Sequence, residues 1–144
     1  MSAQVRRRGF RTRLPDRHRR RDRGSTVAEF ALIAGLLSLV FAGVLQFGLA
    51  LHVRNTVIDA AIAGARLGGT LDRSPADGVD HTREVITAAI GESYARDVSA
   101  VESRMDGVRV VTVSVDAPIP VLGLLGSVGT WELRGRVVAE DVSG

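Results

Sequence analysis

The chain has 144 residues, no cysteine, and 19 basic side chains that are all arginine. Its charge is divided: residues 1–23 hold ten arginines against Asp16 and Asp22, a net of +8, while the remainder holds nine arginines against fourteen carboxylates, a net of −5. A disulfide framework, a thiolate metal site and a cysteine nucleophile are excluded, and the high pI belongs to an N-terminal tail suited to an anionic surface, membrane or nucleic acid.

A free tail of ten arginines would bind nucleic acid by charge alone, with steep salt dependence. Phe10 is its only aromatic and it carries no recognisable fold. No specific nucleic-acid partner is expected; beside a membrane the tail works as a topology determinant.

From Phe30 to Val53 the chain carries no charged residue, counting His52 as neutral, a run of 24 residues. As a helix it is about 36 Å long at 1.5 Å per residue, enough for a hydrocarbon core. The polar residues in it are Ser38, Gln46 and, at its edge, His52. The reading is a single membrane span, with membrane lipid as a partner. A cleaved secretory signal is the alternative, although its apolar core would be shorter. The arginines place residues 1–24 in the cytoplasm and the C-terminal part outside the cell (inner) membrane.

The span has texture. Ala31, Gly35, Ser38 and Ala42 recur at steps of four, three and four, and Gln46 continues the line. Small residues let helix backbones approach in lipid, and a polar side chain among them can bond a neighbour. This stripe is the candidate helix-packing face.

Residues 54–67 read as a continuation of the helix, with Val57, Ile58, Ala61, Ile62, Ala65 and Leu67 on an apolar side and Asp59 and Arg66 on a polar one. Gly68-Gly69 is a stop signal, and Gly64 and Gly68 mark close packing and termination. The stretch GGTLDRSPADGVD reads as a loop. Asp80 is expected to cap a second helix over about 81–95, with Val85, Ile86, Ala89, Ile90 and Tyr94 on one face.

Val108–Asp116 is β-branched and mostly alternating, so a strand. Trp131–Glu140 alternates more cleanly: Trp131, Leu133, Gly135, Val137 and Ala139 face one way, Glu132, Arg134 and Arg136 the other. The two should pair antiparallel under the helix. Between them, residues 117–129 (APIPVLGLLGSVG) are apolar but broken by Pro118, Pro120 and glycines. They are either a buried connection or a loop that touches membrane or partner. The expected class is α+β: a long N-terminal transmembrane helix continuing outside, and a second helix packed on a small antiparallel sheet. The expected divisions are a leader over 1–24, a span over 25–53 and an extracytoplasmic domain over 54–144. A core this small is marginal alone, which favours stabilisation by partners.

No constellation for catalysis, cofactor or metal is expected. His18, His52 and His81 are scattered, and there is no phosphate loop, nucleophile elbow or metal-ligand spacing.

Gly24-Ser25-Thr26-Val27-Ala28-Glu29-Phe30 places a glycine at the end of a basic leader and a glutamate five residues later, at the mouth of the span. This resembles a type IV prepilin-type processing site. The following EFALIAGLLSLVFAGVLQFGLALHVRNTVIDAAIAGARLGG resembles the TadE-like family, the minor pseudopilins of tight-adherence (Flp-type) pilus systems. The likeness is close over about residues 22–69 and weak beyond, where a β-rich tail with an apolar connection is also typical. It implies a pilin-like fold and cleavage between Gly24 and Ser25 by a membrane-embedded prepilin peptidase at the cytoplasmic face. It also implies association with other pilin-like subunits and with inner-membrane components of the apparatus.

Glu29 then has two readings. It pairs with the new Ser25 amine of a neighbouring subunit, with Phe30 beside it, or it sits solvated at headgroup level. A carboxylate left unpaired at bilayer depth costs ~2.5–3.5 kcal/mol. The chain departs from the family's usual pattern at Gly35, where many members have proline, at Gln46, where they have glutamate, and at Leu49, where others have arginine. Phe30 stands where tyrosine is common. No role resting on an intramembrane carboxylate at position 46 carries over. Two rivals to the pseudopilin reading are an uncleaved single-pass envelope scaffold and an exported binding module released by signal peptidase.

Overall fold

The computed structural model describes residues 18–121 and 129–139. The leader's residues 1–17, the centre of the apolar connection (122–128) and the chain after Ala139, including the predicted strand end at Glu140, lie outside the described residues. The fold is α+β. Helix α1 (His18–Gly68) and helix α2 (Pro75–Ile90) are followed by a 3-10 turn (Glu92–Tyr94) and strands β1 (Asp97–Met105), β2 (Val108–Pro118) and β3 (Thr130–Val138). The chain divides into two units, one ending at Phe41 and the other beginning at Ala42.

In the first unit the described part is helix alone. α1 is uninterrupted through Gly24-Ser25 and through the apolar run. Long apolar residues with little backbone competition sustain it, and no proline breaks it.

In the second unit the strands form an antiparallel sheet in the order β1-β2-β3. Both predicted strands are present and paired, Val113 opposite Gly135 and Val115 opposite Leu133. The inward row of β3 is as read from alternation: Leu133, Gly135 and Ala139 are buried, Trp131 and Val137 half-buried, and Glu132, Arg134 and Arg136 exposed. β1 is the element missing from the sequence reading. Only Val98 on it is buried, so its apolar alternation is too weak to announce a strand. Its partner signal is the turn: Asp106 and Gly107 both have positive φ, 51° and 84°, and join β1 to β2 as a two-residue hairpin.

The second helix corrects the expected boundaries. It begins at Pro75, not near residue 81, and Asp80 lies inside it rather than capping it. The cap is Ser74: its Oγ accepts from the Asp77 amide at 3.3 Å, and Asp77 Oδ2 accepts from the Ser74 amide at 2.7 Å. This is a capping box, and Pro75 suits the first helical position because it has no N–H to satisfy. So the second half of GGTLDRSPADGVD is helix, not loop. The helix ends at Ile90 rather than 95, because Gly91 leaves helical geometry at φ 106°. Tyr94 still packs against the core, from the 3-10 turn.

The core of this unit joins Val53, Val57, Ala61 and Ala65 of α1 to Ile86 of α2 and to Val111, Val113, Val115 and Leu133 of the sheet. Small residues set how closely the layers meet. A Cβ on Gly135 would run into the backbone of Ala61 and Ile62, so β3 lies directly against α1. A Cβ on Gly64 would strike Thr82 and the Gly78 carbonyl, so α1 and α2 cross backbone to backbone. Thr82 is fully buried, and its Oγ1 donates to the Gly78 carbonyl at 2.8 Å and lies 3.3 Å from that of Ala60. A buried hydroxyl needs such a partner, because leaving it unpaired costs about 1–3 kcal/mol.

The other face of the sheet is polar. Thr112, Ser114, Asp116, Arg134 and Arg136 line a shallow groove with Ser99 and Ser103. Glu132 pairs with Arg134 there, and Glu102 pairs with Arg109 at 2.8 Å at the hairpin end. The Arg109 guanidinium holds the Glu102 carboxyl below its usual range.

Candidate functional site

α1 carries every site residue read from the sequence. Gly24 and Ser25 sit in the helix and are exposed, and a Cβ on Gly24 would meet nothing. Glu29 is exposed, and Phe30 beside it is 73 % exposed. From Gly24 to Leu45 the side chains are open to the surroundings, Ala34 alone being half-covered. Leu32, Leu36, Phe41 and Phe47 are each more than half exposed. Apolar area of this extent has no place in water.

The stripe of small residues keeps its backbone accessible. Ala31, Gly35, Ser38 and Ala42 are exposed, and a Cβ on Gly35 would touch nothing. Ser38 Oγ donates to the Ala34 carbonyl of its own helix at 2.8 Å, so its polarity is satisfied locally. Gln46 differs from the others. Its Nε2 donates to the Pro120 carbonyl at 2.5 Å, tying the helix to the first residues of the β2–β3 connection. The near ends of that connection also close on each other, Ile119 N donating to Gly129 O at 2.9 Å.

Beyond Gln46, Leu49 packs against the core and Val53 is buried in it. The bare helix, residues 24–45, is therefore about 33 Å long at 1.5 Å per residue, close to the ~30 Å of a hydrocarbon core. One helix of the described chain is long and apolar enough to cross a membrane.

Residues 24–66 match the family model for TadE-like protein. The match covers under a third of the chain. It starts at the glycine of the resemblance and runs through the bare helix into the part of α1 that packs on the sheet. The chain has no match among the curated proteins or the solved structures.

Among the described residues no group of three histidine, aspartate or glutamate side chains is placed to hold a metal. Two further charged residues of the helix emerge from the structure as site candidates. Asp59 and Arg66 remain exposed on the side of α1 that neither α2 nor the sheet covers. From the sequence they stand only as a polar face. Their spacing of seven residues was the available signal, because it repeats a helix face almost without rotation.

Proposed function

We propose that this chain is a minor pseudopilin or pilus-assembly component of a tight-adherence (Flp-type) system, working by assembly rather than turnover. The arginine leader holds the N-terminus at the cytoplasmic leaflet. A prepilin peptidase then cuts between Gly24 and Ser25. The freed helix packs laterally with other pilin-like helices and inner-membrane components through Ala31, Gly35, Ser38 and Ala42. Glu29 is neutralised by the Ser25 amine of a neighbour, and the outer α+β part meets further components of the apparatus.

The observation that carries this reading is a coincidence of limits. The TadE-like match begins at Gly24, the residue at which the basic leader gives way to an apolar helix with no protein covering it. N-terminal sequencing of the membrane protein, with and without a co-expressed prepilin peptidase, tests it. A start at Ser25 only when the peptidase is present is expected.

One observation favours a second reading, the uncleaved single-pass scaffold. α1 is continuous across Gly24-Ser25, so the peptidase must unwind a helical turn to reach the bond. An N-terminus unchanged by the peptidase would select the scaffold.

A further inference from the structure

We propose that a second copy of this chain docks in parallel on the free face of α1, displaced along the helix axis so that Asp59 of one copy meets Arg66 of the next. The proposal rests on the lateral packing of α1 proposed above and adds to it a register and a contact.

Both residues lie in the folded second unit, on the part of α1 beyond the bare stretch. Both are exposed, and neither side chain forms an ion pair or hydrogen bond within the described chain, whose salt bridges join Arg83 to Asp80, Arg109 to Glu102 and Arg134 to Glu132. Seven residues at about 100° each bring Arg66 within about 20° of Asp59 around the helix and about 10 Å along it. Between them on that face lie Ile62 and Ala63, both half-buried and neither charged. The face is thus acidic at one level, apolar and small in the middle, and basic at the next level.

This pattern is complementary to itself only when shifted. Two parallel copies in register would set Asp59 against Asp59 and Arg66 against Arg66, which is unfavourable at close range. A displaced copy sets the carboxylate against the guanidinium. Helical side chains lean toward the N-terminus, so the guanidinium of Arg66 hangs below its own Cα. The displacement required is therefore between about 6 and 10 Å. Such a contact is heterologous: the pair keeps one unused Asp59 and one unused Arg66, and because both residues lie on one face the docked copy fills it and the assembly through this contact stops at two. An exposed pair contributes little to affinity. Apolar helix packing supplies the attraction, and the charges choose the register.

The absence of cysteine makes disulfide trapping clean. The full chain is placed in membranes, and Asn55→Cys, Ile62→Cys and the double variant, which have the same spacing and leave Asp59 and Arg66 in place, are oxidised. The double variant is expected to give a dimer, each single variant little or nothing. A strong dimer from Asn55→Cys alone means in-register pairing and overturns the proposal. Adding Asp59→Arg or Arg66→Asp to the double variant should lower its cross-linking several-fold, and adding both should restore it to within about twofold. Failure of the swap to restore it also overturns the proposal. Ala42→Cys in the bare helix, joined by a bifunctional thiol reagent long enough to span a displaced register, separates the two levels. If it cross-links while the 55/62 pair does not, lateral packing stands and the displaced register falls. If nothing cross-links, both fall.

Discussion

The two units of this chain treat apolar residues in opposite ways. Up to Phe41 the helix turns leucines, phenylalanines and valines outward on every side, and nothing in the described chain covers them. In the second unit, beyond the exposed Val44, Leu45 and Phe47, a core is buried, and it is built mostly of valine, alanine and glycine with close backbone contacts. A substitution should therefore read out differently in each. Extra volume is harmless to folding in the first unit and ruinous at the contacts of the second.

Gly135→Val presses this difference hardest. Its side chain has no room against the Ala61 carbonyl oxygen, 2.7 Å from a built Cβ, and the obstacle is helix backbone, which cannot rotate away. Overpacking with a rigid neighbour costs at least about 3 kcal/mol. In a small domain of modest total stability this removes cooperative unfolding, visible in a thermal melt of the full chain in detergent. A variant that melts like the parent would mean that α1 does not lie on β3.

Ile86→Ala attacks the same core by removal. Ile86 is fully buried and is the largest such side chain among the described residues. The lost contacts and the cavity left behind cost about 2–4 kcal/mol. A shift in urea midpoint without a change in slope would show that stability alone has moved.

These two residues also mark what could be read in advance. Ile86 was legible, because a 3.6-residue period points it at a core. The helix over the apolar run and strands β2 and β3 were legible for the same kind of reason: uncharged length in one case, alternation in the other. Gly135 was not, since a glycine in a strand shows its purpose only once the element pressing on it is known. β1 stayed hidden because just one of its side chains, Val98, is buried, although Asp106-Gly107 was a hairpin signal in plain sight. α2 starts earlier than its sequence suggests because Pro75 and Gly78 belong to a stretch that reads as loop, whereas the proline occupies the first turn and the glycine makes room for α1. The candidate site was legible as residue types at spacings. Which flank of α1 stays free for Asp59 and Arg66 was not, because that depends on where the sheet lies.

Ser74→Ala should have a smaller effect, about 1 kcal/mol, by removing the cap of α2. It carries a pH signature. Hydrogen bonds from the Ser74 backbone and side chain hold the Asp77 carboxyl below its usual 3.8. A depressed carboxylate binds fewer protons folded than unfolded, so stability rises with pH through that window. Its contribution is complete at neutral pH, begins to fade near pH 4 and is gone below the folded-state value. The parent should lose this increment on acidification, and Ser74→Ala, lacking the side-chain bond, should lose less of it. Equal acid sensitivity in the two proteins would disprove the capping role.

Gly35→Leu should give the smallest effect on folding and the sharpest contrast. A Cβ there meets nothing, so the larger side chain is neither squeezed nor required. In a helix interior leucine is also favoured over glycine by a few tenths to about 1 kcal/mol. Stability of the second unit should therefore be unchanged within about 0.5 kcal/mol. What changes is the stripe: leucine holds a neighbouring helix away where glycine admits it. Cross-linking of Ala42→Cys by a long bifunctional thiol reagent, two turns along the same face, should fall. If it holds steady, the outward helix meets lipid or partners through another face, and its small residues reflect composition rather than contact.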